Sequence, residues 1–204
     1  MIDSEELTKR LEWAEVPKRY RDCRFSTFDA YTSKLARKLT VLEQLSTERR
    51  GLFIFGPVGS GKTHLGVAAL AAYTLIGAHC KFIGAADFVN TVQLAYGNPK
   101  EIVGELLREY NCILIDDLGA ERANEASRLA LTYLVDQLYG ARKKIVVTSN
   151  LVPKDVYTFE PRIMSRLTEV CALVELDASD YRIRTAAHRQ KLIQTRTAAS
   201  ETVN

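Results

Sequence analysis

Gly56-Pro57-Val58-Gly59-Ser60-Gly61-Lys62-Thr63 is the stretch on which the fold turns. It fits G-x-x-x-x-G-K-[ST], a loop whose backbone amides cradle phosphates. Leu52-Phe53-Ile54-Phe55 precede it and read as a short buried strand. Residues 64–73, from His64 through Leu70 to Tyr73, follow it and are rich in good helix formers. Strand, loop and helix is the order the chemistry needs. Glycines let the chain turn tightly, and the helix N-terminus adds unsatisfied donors and partial positive charge. In this reading Gly56, Pro57, Val58, Gly59, Ser60, Gly61, Lys62, Thr63 and His64 hold a nucleoside triphosphate. Lys62 reaches its β- and γ-phosphates and the Thr63 hydroxyl ligates Mg²⁺. The bland alternative, a Gly-rich turn beside an exposed lysine, leaves the flanking strand and helix unexplained.

The composition bounds the rest. The chain has 204 residues, 47% hydrophobic and 26% charged, which suits one domain with a substantial core. A net charge of +3 is too small to argue for a nucleic-acid partner by itself. The tail is locally basic, with Arg182, Arg184, Arg189, Lys191 and Arg196. Such a tail either contacts phosphates or an acidic partner, or is a solvated helix face. Cys23, Cys80, Cys112 and Cys171 are too far apart for a zinc site, and the last three read as reduced core residues. The N-terminus is acidic and has no signal-peptide pattern, and no apolar run is long enough to span a bilayer. A cytoplasmic protein is expected.

Along the chain, Leu7, Leu11 and Ala14 share a helical stripe that Trp13 falls off. Residues 1–25 are expected to form an arm that packs on the body or on a partner, 26–195 a single ATPase domain, and 196–204 a flexible tail. Helices are expected over 33–48, 86–96, 102–110, 124–139 and 181–195. Strands are expected over 80–83, 112–115, 143–148 and 172–176. Gly140 reads as a helix stop. Between Pro153 and a short helix through Met164 and Leu167 a loop is expected. Alternating short apolar strands and helices predict an α/β fold with a parallel sheet covered on both faces.

Beyond the loop, Cys112-Ile113-Leu114-Ile115-Asp116-Asp117 is an apolar strand ending in two carboxylates, the Walker B pattern. Asp116 would hold Mg²⁺ and Asp117 would act as general base toward the attacking water. Glu is more usual than Asp at the second position. The shorter side chain stands farther from the γ-phosphate, so slow hydrolysis is expected. Asn150, ending Thr148-Ser149-Asn150, could orient that water. Arg162 and Arg166, four apart, share a helix face. They read either as a solvated pair or as arginine fingers toward ATP on a neighbouring subunit.

Residues 56–65 (GPVGSGKTHL), 113–121 (ILIDDLGAE), 148–151 (TSNL) and 162–167 (RIMSRL) together resemble the DnaC/DnaI-type replicative helicase loaders and the related IstB transposition ATPases. Residues 16–28 resemble the lead-in to that domain. The resemblance implies an AAA+ P-loop fold, a three-layer sandwich with sheet order 5-1-4-3-2 and no helical lid domain. It also implies ATP and Mg²⁺ as ligands, ATP-dependent self-assembly, and binding of single-stranded DNA and a DnaB-type replicative helicase. For an IstB-like helper the partners become duplex DNA and a transposase. Asn150 becomes sensor 1, Arg162 and Arg166 the finger box, and Arg182 a sensor-2-like ATP contact. Lys81, Arg122 and the tail arginines are candidate DNA contacts. A small-molecule kinase would need clustered lid arginines, and a silent binding module would hydrolyse nothing.

Overall fold

The computed structural model describes residues 3–30, 32–47, 51–95, 98–119, 125–177 and 181. Among them the order is α1 (Ser4–Trp13), α2 (Ser33–Thr47), β1 (Gly51–Phe55), α3 (Lys62–Leu75), β2 (Cys80–Gly84), α4 (Ala85–Leu94) and α5 (Lys100–Glu109). There follow β3 (Cys112–Leu118), α6 (Glu125–Gly140), β4 (Lys144–Ser149), α7 (Pro153–Phe159), α8 (Pro161–Val170) and β5 (Cys171–Glu175). The strands form one five-stranded sheet in the order β2-β3-β4-β1-β5, every pairing parallel. This is the expected 5-1-4-3-2 order read from the other edge.

Parallel strands joined by crossover helices must bury both faces, and successive side chains point to opposite ones. Leu52, Ile54, Leu114 and Val146 pack into a core with α1, α2 and α3. Their neighbours Phe53, Ile113, Ile115, Ile145 and Val147 pack into a second core with α4, α5, α6 and α8. Helix α3 lies across the middle of the first face, with Leu65, Val67, Ala69 and Leu70 all but inaccessible. A helix apolar nearly all round is one buried in the body of a domain.

Residues 3–25 pack on the body, the first of the two placements expected for them. Asp3 caps α1 by accepting from the Glu6 amide at 2.8 Å. Leu7, Leu11, Ala14 and Val16 join the same core as α3. Glu15 takes a left-handed φ of 58°, letting the Val16 amide close on the Leu11 carbonyl at 3.0 Å and stop the helix. The Phe82 amide of edge strand β2 then donates to the Ala14 carbonyl at 2.8 Å. Trp13, off the stripe, is 70% exposed.

Three expectations change. The loop after Pro153 is the helix α7, with Pro153 and Pro161 each in the first turn of a helix, where proline costs no hydrogen bond. Helix α6 runs through Gly140, and the left-handed residue that ends the turn is Arg142, at φ 52°. Lys81 is no free DNA contact: it pairs with Glu15 and lies 5.4 Å from the centre of the Tyr110 ring. Arg122, Arg182 and the basic tail lie outside the described residues, as does all of the expected last helix after Tyr181. Among the described residues no helix is long and apolar enough to cross a membrane.

Candidate nucleotide-binding site

All five strands run the same way, so their carboxyl ends share one rim, and the phosphate loop leaves β1 there. Backbone geometry explains its glycines. Gly56 has φ 149°, and a Cβ on it would stand 2.1 Å from the Leu176 carbonyl oxygen. Gly61 has φ 91°, and a Cβ there would meet the Phe28 ring at 2.6 Å. Inside the loop the Lys62 ammonium donates to the Gly56 and Pro57 carbonyls at 2.9 and 2.7 Å. The Tyr181 amide donates to the Gly59 carbonyl at 3.0 Å, so the chain after β5 returns to the loop. The Ser60 hydroxyl is buried and has no hydrogen-bond partner among the described residues. A buried, unmatched hydroxyl inside a loop of backbone donors is what an anionic oxygen would satisfy.

The second strand end is built by a bulge. From Ile115 to Leu118, β3 advances three residues while β4 advances two, from Val147 to Ser149. Asp117 absorbs the extra residue at φ 60°, a conformation Asp tolerates better than most residues. In an unbulged strand Asp116 and Asp117 would point to opposite faces. Here both reach one hydrogen-bonded chain. Thr63 Oγ1 donates to Asp116 Oδ2 at 3.2 Å, and Thr148 Oγ1 donates to Asp116 Oδ1 at 2.6 Å. The Asp117 amide donates to Thr148 Oγ1 at 2.9 Å, and Asn150 Nδ2 donates to Asp117 Oδ1 at 2.6 Å. Burial pushes the Asp116 carboxyl up from its ordinary range. The hydroxyls of Thr148 and Thr63 pull it back, and the charge of Asp117 adds to the rise. A hydroxyl beside a carboxylate is a donor set that suits Mg²⁺.

A cavity of about 360 Å³ joins these parts. One wall is the loop with Asp117, Thr148 and Asn150, and the other is Tyr20, Thr27, Phe28, Asp29 and Leu35. The second wall escaped sequence reasoning, although the mixture of aromatic and charged residues before Tyr31 was its signal. Thr148 escaped too: a threonine closing a buried strand carries no mark of bridging two carboxylates. His64 fastens the walls together. Its Nε2 contacts the Arg24 carbonyl at 2.9 Å and Thr27 Oγ1 at 3.3 Å, and its ring meets Phe28 edge-on.

Burial lowers the His64 pKa below 6.5, against the opposing pull of the Arg24 carbonyl. The unfolded chain therefore takes up a proton, as pH falls through about 6.5, that the folded chain refuses. Stability contributed by neutral His64 is complete above that pH and declines below it. Thermal melts between pH 7.5 and 5.5 are expected to fall more steeply for the wild type than for His64→Gln.

Arg162 and Arg166 do not line the cavity. Both project from α8 onto Asp136 of α6. Arg162 Nη2 donates to Asp136 Oδ2 at 2.7 Å, and Arg166 Nε stands 2.6 Å from Asp136 Oδ1. The second contact is an ion pair without an aligned hydrogen bond.

The model of the bacterial DnaA ATPase domain matches residues 23–173. The chromosomal replication initiator protein DnaA of Clavibacter sepedonicus is 29% identical over 161 residues, 76% of this chain and 33% of that protein. The chain thus spans about a third of this relative's length. Among solved structures, the DnaC helicase loader superposes with a TM-score of 0.67 and 24% identity, over 79% of this chain and 100% of that one. A replication initiator DnaA bound to AMPPCP and single-stranded DNA gives 0.61 and 23%, over 87% and 56%. At these identities the superpositions establish the AAA+ fold. They keep the expected likeness to loaders at the level of the fold, and the family model that matches is that of the initiator's domain. The chain belongs to the family of the bacterial DnaA ATPase domain.

Proposed function

We propose that this chain is an ATP-switched assembly factor of replication initiation, acting as a helicase loader. The observation that carries the nucleotide part is the chain of hydrogen bonds from Thr63 through Asp116 and Thr148 to Asp117 and Asn150, beside the loop that holds Lys62. ATP would set its phosphates in the loop, with the Ser60 hydroxyl and Lys62 as donors, and its base against Tyr20, Phe28 and Leu35. Thr63 and Asp116 would hold Mg²⁺, which when bound neutralises phosphate charge. Asp117 would accept the proton of the attacking water. The Asn150 amide already occupies one oxygen of that carboxylate, and Asp is short for the task. Both features favour slow turnover, as in a switch, stimulated by DNA or partner.

The loader reading is supported by coverage of the whole solved chain of a DnaC helicase loader, and the single-stranded DNA by the ligand of a similarly folded initiator. The arginine pair on α8 would complete ATP held by a neighbouring copy. Arg166→Ala is expected to leave nucleotide affinity within about twofold. Hydrolysis under assembling conditions, with ATP and single-stranded DNA, should fall at least tenfold, as loss of a finger does. Normal hydrolysis in that variant would sink the finger assignment. Affinity capture with the ATP-bound chain separates the readings. A replicative helicase supports the loader, a full-length initiator places the chain on the initiator side, and a transposase restores the IstB-like alternative.

A further inference from the structure

The two arginines are held by one carboxylate, and the face of α6 that carries it is specialised. Arg128 and Asp136, eight residues apart on that helix, share a face with Thr132. Arg128 donates to Glu160 at 2.7 Å, and Glu160 is 5% exposed and caps α8 by accepting from the Arg162 amide. One turn past Thr132, the Asp136 side chain is 16% exposed and takes Arg162 and Arg166, one on each oxygen. The seam between α6 and α8 thus sets three guanidiniums (Arg128, Arg162, Arg166) against two carboxylates (Asp136, Glu160). The nearest further carboxylate on α8, Glu169, accepts from the Tyr139 hydroxyl at 2.8 Å.

The two arginines are held differently. Arg166 is 28% exposed and lies 5.1 Å from the centre of the Tyr139 ring, whereas Arg162 is 64% exposed. Removing the carboxylate would therefore do more than expose a charge. Two guanidiniums one helical turn apart would repel each other, and Arg166 would lose the contact that fixes its stem over Tyr139.

We infer that Asp136 is a positioning residue: it sets the direction in which α8 offers Arg162 and Arg166 to a triphosphate bound by a neighbouring copy of this chain. This rests on the arginine reading above and adds to it the group that orients the pair. Asp136 itself touches no nucleotide and lies outside the cavity of the same subunit.

The test uses mixed assemblies, because a positioning role has a direction that a structural role lacks. Lys62→Ala subunits supply arginines but hold no ATP, and Arg166→Ala subunits hold ATP but supply no arginine. Mixing them is expected to restore hydrolysis at the mixed interfaces. Adding Asp136→Ala to the Lys62→Ala subunit should lower the restored rate at least fivefold. Adding it to the Arg166→Ala subunit should leave that rate unchanged. Equal loss in both placements, or loss in neither, overturns the proposal. The melting temperature of both double variants, and the fluorescent-nucleotide affinity of the one that carries Arg166→Ala, exclude misfolding as the cause. If mixing restores nothing although the Arg166→Ala chain still assembles with ATP, the finger reading fails first, and the two failures stay distinct.

Discussion

Replacing Lys62 with alanine is expected to abolish the rise in melting temperature that Mg·ATP gives the wild-type chain. It should also lower hydrolysis by roughly 100- to 1,000-fold. Lys62 is 7% exposed and turned inward on the Gly56 and Pro57 carbonyls, so its ammonium is already desolvated and aimed along the loop. An ammonium so placed makes short, charge-assisted hydrogen bonds with phosphate. Ligand that binds only the folded state stabilises it by RT ln(1 + [L]/Kd), about 2.7 kcal/mol at a hundredfold excess over Kd. Differential scanning fluorimetry with and without Mg·ATP reads this directly. Without nucleotide the variant should melt within a few degrees of wild type, because hydrogen bonds such as those to the two carbonyls contribute about 1 kcal/mol each. A full nucleotide-dependent shift in Lys62→Ala would remove the loop from the phosphate site.

The second large effect is expected far from that site. Leu11→Ala should cost about 2–5 kcal/mol, as for other large-to-small changes in a closed core. In a domain of this size that is a fall in melting temperature of roughly 5–15 °C. Leu11 is fully buried against the core that contains α3. Trp13, two residues on and exposed, is the internal control: Trp13→Ala should change stability by no more than about 0.5 kcal/mol. Were α1 only a docked arm, the two variants would melt alike, and deletion of residues 1–16 would leave the melting temperature of the ATPase body unchanged. Deletion is instead expected to lower it, since it also removes the Ala14 carbonyl that pairs the free edge of β2.

Much of the fold was legible because its signals are local. Leu52 to Phe55, the loop glycines and the helix formers after Thr63 announce strand, turn and helix within a few residues of one another. The alternation of such units leaves little choice but a parallel sheet. The strand order needed more, since periodicity does not say which strands are neighbours; it came from resemblance, and the sheet has it. Helix α7 was missed because Pro153 and Pro161 read as breakers, whereas at the first turn of a helix proline is at no disadvantage.

The site divides along the same line. Sequence by itself determined the chemistry on offer: an amine at Lys62, a hydroxyl at Thr63, carboxylates at Asp116 and Asp117, an amide at Asn150, guanidiniums at Arg162 and Arg166. Tertiary structure decided which of these meet. The bulge at Asp117 turns two consecutive carboxylates into one cluster, and Thr148 joins them across the gap between β3 and β4. Tyr20 and Phe28, remote in sequence, line the cavity together with the loop. Asp136, which no motif marks, collects both arginines. The physical reason is range. Turn chemistry and helix propensity act between residues close in the chain and are written there. A hydrogen bond from Thr148 to Asp116, or an ion pair from Arg166 to Asp136, spans some thirty residues and exists only once the two cores have closed around the sheet.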